Sequence, residues 1–231
     1  MTLNGYENIM IDLKTWNDVE EYIDNSFLRI PPSYFERAVM DRRYPRDAFS
    51  KGQLASKSWL LGELYKVVPL PSNTTVALLG CWIGSIVEPM LNAFTIERIY
   101  GIDIDAESIE MAEKFNQKHV ANNWKFKGVC TDIDLLDCNH MEFETGGELI
   151  KVSPDIVINT SCEHMSTNWF ETAGSNQLIV MQTNDSEEFD GHINVCYTAE
   201  EMQEKYPLSK THFVGSLKTP SYTRHMQIGY K

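Results

Sequence analysis

Short apolar runs alternate along the chain with segments whose apolar residues recur at helical spacing, which is the pattern of an α/β protein. The apolar runs that predict buried parallel strands are Thr74–Leu79, Arg98–Ile102, Lys125–Val129, Asp155–Asn159 and Gln177–Thr183. Two further runs, Thr211–Leu217 and Arg224–Tyr230, are joined by a short connection containing proline and predict a C-terminal hairpin. The expected fold is therefore a doubly wound, mostly parallel seven-stranded sheet with a C-terminal antiparallel hairpin.

The first 66 residues are predicted to form a helical extension ahead of the sheet. Its predicted elements are an amphipathic helix from Trp16 to about Phe27, a short helix at Tyr34–Met40, an irregular stretch at Asp41–Gln53 and a helix at Gln53–Lys66. Pro69 and Pro71 mark the join to the sheet. The predicted domains are therefore a helical cap at 1–66 and a nucleotide-binding type of domain at 67–231.

The stretch from Thr74 to Ser108 carries a ligand-binding pattern of strand, glycine turn, helix, strand and acid. Gly80 and Gly84 let the backbone turn sharply and approach a ligand, because glycine has no Cβ. A carboxylate at the end of the second strand, Asp103, can accept two hydrogen bonds from a ribose diol. A dinucleotide fingerprint would need a glycine at Trp82, so a cofactor without a pyrophosphate is favoured over NAD.

This stretch resembles the first motif of the class I S-adenosylmethionine (SAM) dependent methyltransferases, which has the form acid-x-Gly-x-Gly-x-Gly. Gly80 and Gly84 match its outer glycines and Asp103 matches its ribose-binding acid, whereas Leu78 replaces its acid and Trp82 its middle glycine. The resemblance covers roughly Val67 to Lys231 and implies SAM as the cofactor. The cofactor-binding residues that it implies are Gly80, Cys81, Gly84, Asp103, Ile104, Asp132, Asn159 and Thr160.

Asp132 follows the third predicted strand, where family members bind the adenine amino group, although Asp134 lies close by and a loop acid is often only solvated. Helices ahead of the sheet often form a lid over SAM and the acceptor in this family. The resemblance therefore implies that Tyr44, Arg46 and Lys51 contribute to substrate binding. The alternative to a lid is that these helices only form a layer packed on the edge of the sheet.

Polar side chains crowd the carboxyl end of the fourth predicted strand, where ligands bind in open α/β sheets. His164 is the candidate general base, because an imidazole titrates near neutral pH, and Glu163 is either the rival base or the group that orients it. The loop after the fifth strand is expected to bring His192 and Asn194 to the same edge, with His192 as a third catalytic residue and Asn194 binding the substrate. The alternative is that His164 only caps the next helix and points to solvent.

Charge and cysteine usage restrict the partners. The net charge of −13 disfavours non-specific binding to nucleic acid. The segment from Arg29 to Lys57, in contrast, has seven basic and three acidic residues, so it either steers an anionic ligand or forms solvated ion pairs. Five cysteines without a C-x-x-C pair, together with a polar and acidic start of the chain, predict a reduced, cytoplasmic protein without a signal or membrane segment.

No metal site is predicted, because no pair of cysteine and histidine residues has zinc-finger spacing. The pairs that offer suitable ligand types are Cys162 with His164, His192 with Cys196, and Cys138 with His140.

The sequence therefore predicts a SAM-dependent methyltransferase that acts by direct in-line transfer on a small molecule, which is anionic if the basic segment contributes to its binding. Two alternatives stay open. One is a SAM-binding fold that cleaves SAM or transfers its aminocarboxypropyl group, and the other is a binding protein without catalytic activity. The oligomeric state and the identity of the methyl acceptor are not predicted.

Overall fold

The fold is built around one eight-stranded sheet with helices on its faces. The computed structural model describes residues 8–26, 44–67, 70–145, 147–188 and 191–231. The strands in chain order are β1 (Ile9–Asp12), β2 (Thr74–Leu79), β3 (Ile96–Asp103), β4 (Phe126–Cys130), β5 (Met141–Thr145), β6 (Glu148–Val152), β7 (Ile156–Asn159), β8 (Leu178–Asn184), β9 (Lys210–Lys218) and β10 (Thr223–Tyr230). The helices are α1 (Trp16–Asn25), α2 (Lys51–Val67), α3 (Val87–Ala93), α4 (Ala106–Phe115), α5 (Gln117–Ala121), α6 (Asn168–Thr172) and α7 (Ala199–Lys205).

The strand order in the large sheet is β1-β9-β10-β8-β7-β2-β3-β4. Only β10 runs antiparallel to its neighbours, and the other paired strands are parallel. The predicted doubly wound sheet with a C-terminal antiparallel hairpin is thus confirmed. The chain places β3 and β4 on one side of β2 and places β7 and β8 on the other, so the winding reverses beside β2. An open sheet offers a binding crevice at the carboxyl ends of its strands at such a point.

The sheet has eight strands rather than the expected seven, because the N-terminal extension contributes an edge strand as well as helices. β1 pairs in parallel with β9, with Ile9 opposite Gly215. A Cβ on Gly215 would lie 2.8 Å from the carbonyl oxygen of Ile9, so this approach requires glycine. Three of the four residues of β1 are exposed, because it lies at the edge of the sheet.

The two faces of the sheet support two hydrophobic clusters. Along β2, Val76 and Leu78 belong to one cluster, and Ala77 and Leu79 belong to the other. This alternation is what a strand buried on both faces requires, and it explains the uninterrupted apolar run in the sequence. The first cluster also contains Val19 of α1 and several residues of α2, so packing is continuous across the predicted boundary at residues 66 and 67.

The remaining helices and turns agree in part with the sequence predictions. α2 spans Lys51–Val67, close to the predicted Gln53–Lys66, and a 3₁₀ turn at Arg46–Phe49 interrupts the stretch expected to be irregular. The predicted helix at Tyr34–Met40 lies outside the described residues. The small antiparallel pair of β5 and β6 was not predicted. Within the described part of the chain, no helix is both long and apolar enough to cross a membrane.

Candidate functional site

A cavity of about 730 Å³ lies at the carboxyl ends of β2, β3, β7 and β8, where the winding of the sheet reverses. Its volume is within the range of pockets that bind small molecules. The loops after these strands and after β4 form one part of its wall, and α2 and the start of β10 form another. The predicted site residues that line it are Gly80, Cys81, Asp103, Ile104, Asp132, Thr160, Glu163, His164 and His192.

The turn after β2 has a left-handed backbone at alternate positions. Gly80 has φ +60° and Gly84 has φ +62°, values that favour glycine. A Cβ on Gly80 would also lie 3.2 Å from Cε of Met165 and 3.4 Å from Cβ of Ser161, so the loop after β7 packs closely on this turn. Gly84 does not line the cavity; its carbonyl oxygen accepts a hydrogen bond from Nδ2 of the buried Asn116. Gly80 therefore shapes the cavity, and Gly84 holds the turn in place.

Trp82 keeps a glycine-like backbone at the position where the resemblance expects the middle glycine. Its φ is +47°, which is rare for a bulky side chain and strained by about 1–2 kcal/mol. Its side chain packs against the cluster that contains Tyr44 and Phe115, and it lines the cavity without closing it. The unusual residue type therefore preserves the course of the turn.

The carboxylate of Asp103 is held at the edge of the cavity by backbone N–H groups. Its Oδ2 accepts a hydrogen bond from the N–H of Trp82 at 2.8 Å, and its Oδ1 accepts one from the N–H of Asp105 at 3.1 Å. Each carboxylate oxygen has a second lone pair for a ligand. Burial, together with the nearby Asp103, raises the pKa of the Cys81 thiol, so Cys81 is a neutral wall residue rather than a nucleophile.

Acidic residues after β4 also line this end of the cavity. Asp132 accepts a hydrogen bond from the N–H of Asp134 at 3.0 Å, as the cap of the short 3₁₀ turn at Ile133–Leu135. The Asp134 carboxylate accepts a hydrogen bond from the Ser166 hydroxyl at 2.6 Å. Together with Asp103, these carboxylates make this end of the cavity acidic.

The loops after β7 and β8 together form a cluster of three side chains, Glu163, His164 and His192, whose potential ligand atoms lie within 4.8 Å of one another. The two imidazole rings meet edge to face, with centroids 4.4 Å apart. The carbonyl oxygen of Glu163 accepts hydrogen bonds from the N–H groups of Ile193 and Asn194, at 2.8 and 3.0 Å. The backbone therefore ties the loop that bears His192 to the turn that bears Glu163 and His164.

Glu163 is almost fully buried, at 2% exposure, and has charged and amide neighbours. Its Oε1 accepts a hydrogen bond from Nδ2 of Asn184 at 2.6 Å and lies 3.5 Å from Nη1 of Arg224. Its Oε2 is buried without a hydrogen-bond partner among the described residues. Such an atom is unusual in a folded protein and calls for an explanation.

His164 lies at the exposed mouth of the cavity. Desolvation by its neighbours lowers its pKa; Glu163 opposes this effect and His192 adds to it. The imidazole is therefore neutral at pH 7 and has a lone pair available for a proton or a cation.

Two buried cations face the same end of the cavity. Arg224 donates from Nη1 to the carbonyl oxygen of Thr160 at 2.9 Å. Lys57 donates to Oε1 of Gln53 at 3.0 Å and to the carbonyl oxygen of Ala48 at 3.4 Å. Burial, together with the nearby Arg224, lowers the pKa of Lys57 to about 7, and Asp47 partly opposes this effect.

The structure places several predicted site residues outside the cavity wall. Tyr44 is buried with its ring 5.0 Å from that of Phe115, because its apolar ring completes a hydrophobic cluster. The ammonium of Lys51 pairs instead with Glu20 of α1 at 2.7 Å, and Arg46 is exposed on the 3₁₀ turn. These three residues therefore do not line the cavity.

Asn159 and Asn194 support the loops instead of lining the cavity. Asn159 is fully buried; its Oδ1 accepts from the N–H of Ser161, and its Nδ2 donates to the sulfur of Met165. Asn194 donates to the carbonyl oxygen of Met165 and to the hydroxyl of Tyr206. Each amide therefore fixes the backbone that carries the neighbouring wall residues.

Sequence reasoning missed a second set of wall residues, which come from the 3₁₀ turn and α2, from the end of β8, and from the residues around the start of β10. They are Asp47, Ser50, Gln53, Lys57, Asn184, Tyr222 and Arg224. In the sequence, Lys57 is only the last residue of the basic segment, and Asn184 directly follows the fifth predicted strand without a pattern that marks it. Arg224 had no local signal, because only the folded sheet brings β10 beside the loop after β7.

No protein-family model and no curated protein sequence matches the chain. Solved methyltransferase structures do match its fold. Magnesium protoporphyrin IX methyltransferase from Synechocystis PCC 6803, with bound S-adenosylhomocysteine (SAH), is 15% identical, with a TM-score of 0.57 over 93% of this chain and 99% of that one. N-methyltransferase NodS from Bradyrhizobium japonicum WM9, in complex with SAH, is 12% identical, with a TM-score of 0.57 over 86% of this chain and 98% of that one.

The CMeT domain of the citrinin polyketide synthase is 13% identical, with a TM-score of 0.54 over 79% of this chain and 55% of that one. The chain thus has the fold of the SAM-dependent methyltransferases, and the resemblance inferred from the glycine turn is confirmed at the level of the fold.

Proposed function

We propose that the chain is a SAM-dependent methyltransferase that acts on a small anionic molecule by direct in-line transfer. One observation carries the proposal: a single cavity is lined by two groups of residues. The glycine turn and Asp103 form the part that we call the cofactor end, and Glu163, His164, Lys57 and Arg224 form the part that we call the acceptor end. The first end suits a nucleoside cofactor, and the second suits an acceptor. Solved structures of the same fold hold SAH, which supports the assignment of the cofactor.

The cofactor end has the charge that SAM prefers. SAM carries a positive sulfonium and no phosphate, so it suits a wall with the three carboxylates Asp103, Asp132 and Asp134. We assign the ribose hydroxyls to Asp103, whose two oxygens are already oriented by backbone N–H groups. The adenine then lies against Ile104 and Ile133, near Asp132.

The acceptor end has the charge that an anion prefers. Lys57 and Arg224 are both buried there, and Glu163 is the buried carboxylate that faces them. A buried cation is costly unless it is paired, so a carboxylate or phosphate group on the acceptor would complete the charge balance. This is why we propose an anionic acceptor.

His164 is the group to which we assign the acceptor's proton. As the acceptor atom bonds to the methyl carbon, the carbon–sulfur bond breaks and its electron pair stays on sulfur, which yields SAH. The neutral imidazole takes the proton that the acceptor loses. Holding the two reactants in one cavity supplies most of the rate, since it replaces a bimolecular encounter by a positioned one.

The test is calorimetric titration of the purified protein with SAM, SAH and NAD in parallel. We expect both sulfur compounds to bind and NAD not to bind. Asp103→Asn should weaken SAM binding by about tenfold or more, since it removes a charged hydrogen-bond acceptor. The matched control is Glu97→Gln, an exposed acid at the opposite end of the same strand, which should leave SAM affinity unchanged.

A folded wild-type protein that binds neither SAM nor SAH would contradict the proposal. So would an Asp103→Asn variant with the same affinity as the wild type. Product analysis then separates the alternatives. SAH indicates methyl transfer, methylthioadenosine indicates cleavage or aminocarboxypropyl transfer, and binding without any turnover across a screen of small anionic acceptors indicates a binding protein.

A further inference from the structure

The cluster of Glu163, His164 and His192 combines one carboxylate with two imidazoles, and its ligand atoms lie within 4.8 Å of one another. Two metal–ligand bonds of about 2.0–2.2 Å hold ligand atoms at most about 4.4 Å apart, so small side-chain rotations bring these three groups onto one common ion. Two histidines and one carboxylate are a set that borderline divalent metals such as Zn²⁺, Fe²⁺ and Co²⁺ accept, with other positions left open. We propose that these three side chains bind one divalent transition-metal ion at the acceptor end of the cavity.

The unpartnered oxygen of Glu163 is the first independent support for this site. Oε1 is occupied by Asn184 and approached by Arg224, whereas the buried Oε2 has no partner among the described residues. A metal ion supplies the partner that Oε2 lacks. Asn184 and Arg224 then act as the outer groups that orient a metal-binding carboxylate.

The tautomer of His192 is the second support for the metal site. Nδ1 of His192 lies 2.5 Å from the carbonyl oxygen of Ser186, and because a carbonyl can only accept, Nδ1 must donate. In the neutral ring this tautomer places the lone pair on Nε2, as in many metal sites where a second group fixes the ring.

The charges around the cluster indicate what completes the site. The ion and Arg224 together carry more positive charge than Glu163 neutralises, so an anionic group on the bound molecule is needed. The open positions of the ion face the cavity, where an acceptor oxygen can bind.

The role in catalysis rests on the proposed function. An acceptor hydroxyl bound to the ion releases its proton to water more readily, because the cation stabilises the alkoxide. The alkoxide oxygen then bonds to the methyl carbon of SAM, while the carbon–sulfur bond breaks and leaves its electron pair on sulfur. With the ion bound, His164 is a ligand and no longer the base.

The experiment is a Co²⁺ titration of the chelator-treated protein, followed by visible absorption, with Zn²⁺ as the competitor. It is done in a Cys130→Ser background, because Cys130 is the exposed cysteine and thiols bind both metals. We expect one ion per chain and no thiolate charge-transfer band. His192→Ala should weaken binding by at least about 100-fold. His140→Ala, an exposed histidine away from the cavity, is the control and should bind like the parent.

Glu163→Gln is a second variant, and it should weaken metal binding as much as His192→Ala does. If Glu163→Gln does not fold, because the glutamine is buried beside Arg224, His192→Ala still tests the site. Absence of binding by the folded parent, or unchanged binding by His192→Ala, would overturn the inference. SAM titration of the same metal-free sample keeps the two proposals separate. SAM binding without metal binding rejects only the metal site, and metal binding without SAM binding rejects only the proposed cofactor.

Discussion

Lys57 offers a quantitative test of the charge at the acceptor end. Its side chain is 8% exposed, and burial lowers its pKa from 10.5 to about 7, with Arg224 adding to the effect and Asp47 opposing it. In the unfolded chain the same side chain titrates near 10.4. Between pH 7 and about 10.5 the unfolded chain therefore binds a proton that the folded protein does not.

This difference in bound protons determines how the free energy of unfolding changes with pH. The free energy of unfolding rises with pH wherever the unfolded state binds more protons, by about 1.4 kcal/mol per pH unit for one proton. The fall of about 3.5 in the pKa corresponds to roughly 5 kcal/mol, an order-of-magnitude value. Below pH 7 both states are protonated, so the full penalty of the buried charge is present there.

The perturbation is Lys57→Met, which keeps an unbranched apolar chain and removes the charge. We expect the variant to exceed the wild type in stability at pH 6. The difference in the free energy of unfolding between the variant and the wild type should shrink by about 1.4 kcal/mol per pH unit above pH 7. Urea unfolding followed by circular dichroism from pH 6 to pH 10 measures both proteins, and subtraction removes the other titrating groups.

Lys218→Met, at an exposed position at the end of β9, is the control for the loss of a lysine as such. A stability difference between Lys57→Met and the wild type that stays constant from pH 6 to pH 10 would refute the reasoning. It would mean that Lys57 keeps its proton in the folded protein and that the acceptor end is less desolvated than its geometry indicates.

Two further predictions concern the glycine turn and the cysteines. Gly84→Ala should destabilise the protein by about 2 kcal/mol or more, because the backbone is left-handed and the new Cβ would lie 2.9 Å from Nδ2 of Asn116. Gly62→Ala should instead stabilise the protein by about 0.5–1 kcal/mol, because Gly62 lies within α2 and nothing lies within 4 Å of the new Cβ. Urea unfolding measures the stability of both variants. A loss of stability in Gly62→Ala equal to that in Gly84→Ala would contradict the argument. A thiol reagent should label Cys130 first in the native protein, because the other four cysteines are buried, and rapid labelling of a second thiol would contradict that burial.

The sheet could be predicted from the sequence because its central strands are buried on both faces. Thr74–Leu79 and Ile156–Asn159 are nearly uninterrupted apolar runs that end in turn or polar residues, and the structure confirms both. β1 could not be predicted in the same way, since it is a short and mostly exposed edge strand. The β5–β6 hairpin had a signal that was not used, because Met141 and Phe143 alternate with glutamates ahead of two glycines.

The site was predictable only where its residues follow strand ends. Asp103, Glu163 and His164 could be placed because the carboxyl ends of parallel strands share one edge. Lys57 and Arg224 reach the same cavity from a helix and from the antiparallel strand, so local sequence carries no sign of their meeting. Tyr44, Arg46 and Lys51 were assigned by resemblance to a lid, and their partners in this chain are other protein groups or solvent.

The pairing of β1 with β9 has a consequence for how the protein is made. Ile9 leaves the ribosome about 200 residues before its partner Gly215. The cavity also depends on contacts between early and late parts of the chain. Ser56 of α2 donates a hydrogen bond to Gln182 of β8, and Arg224 of β10 donates one to the carbonyl oxygen of Thr160. β1 and α2 therefore lack these partners until β8, β9 and β10 have been synthesised. The binding cavity cannot form before β10 has emerged, and a chain that stops before β10 has no complete site.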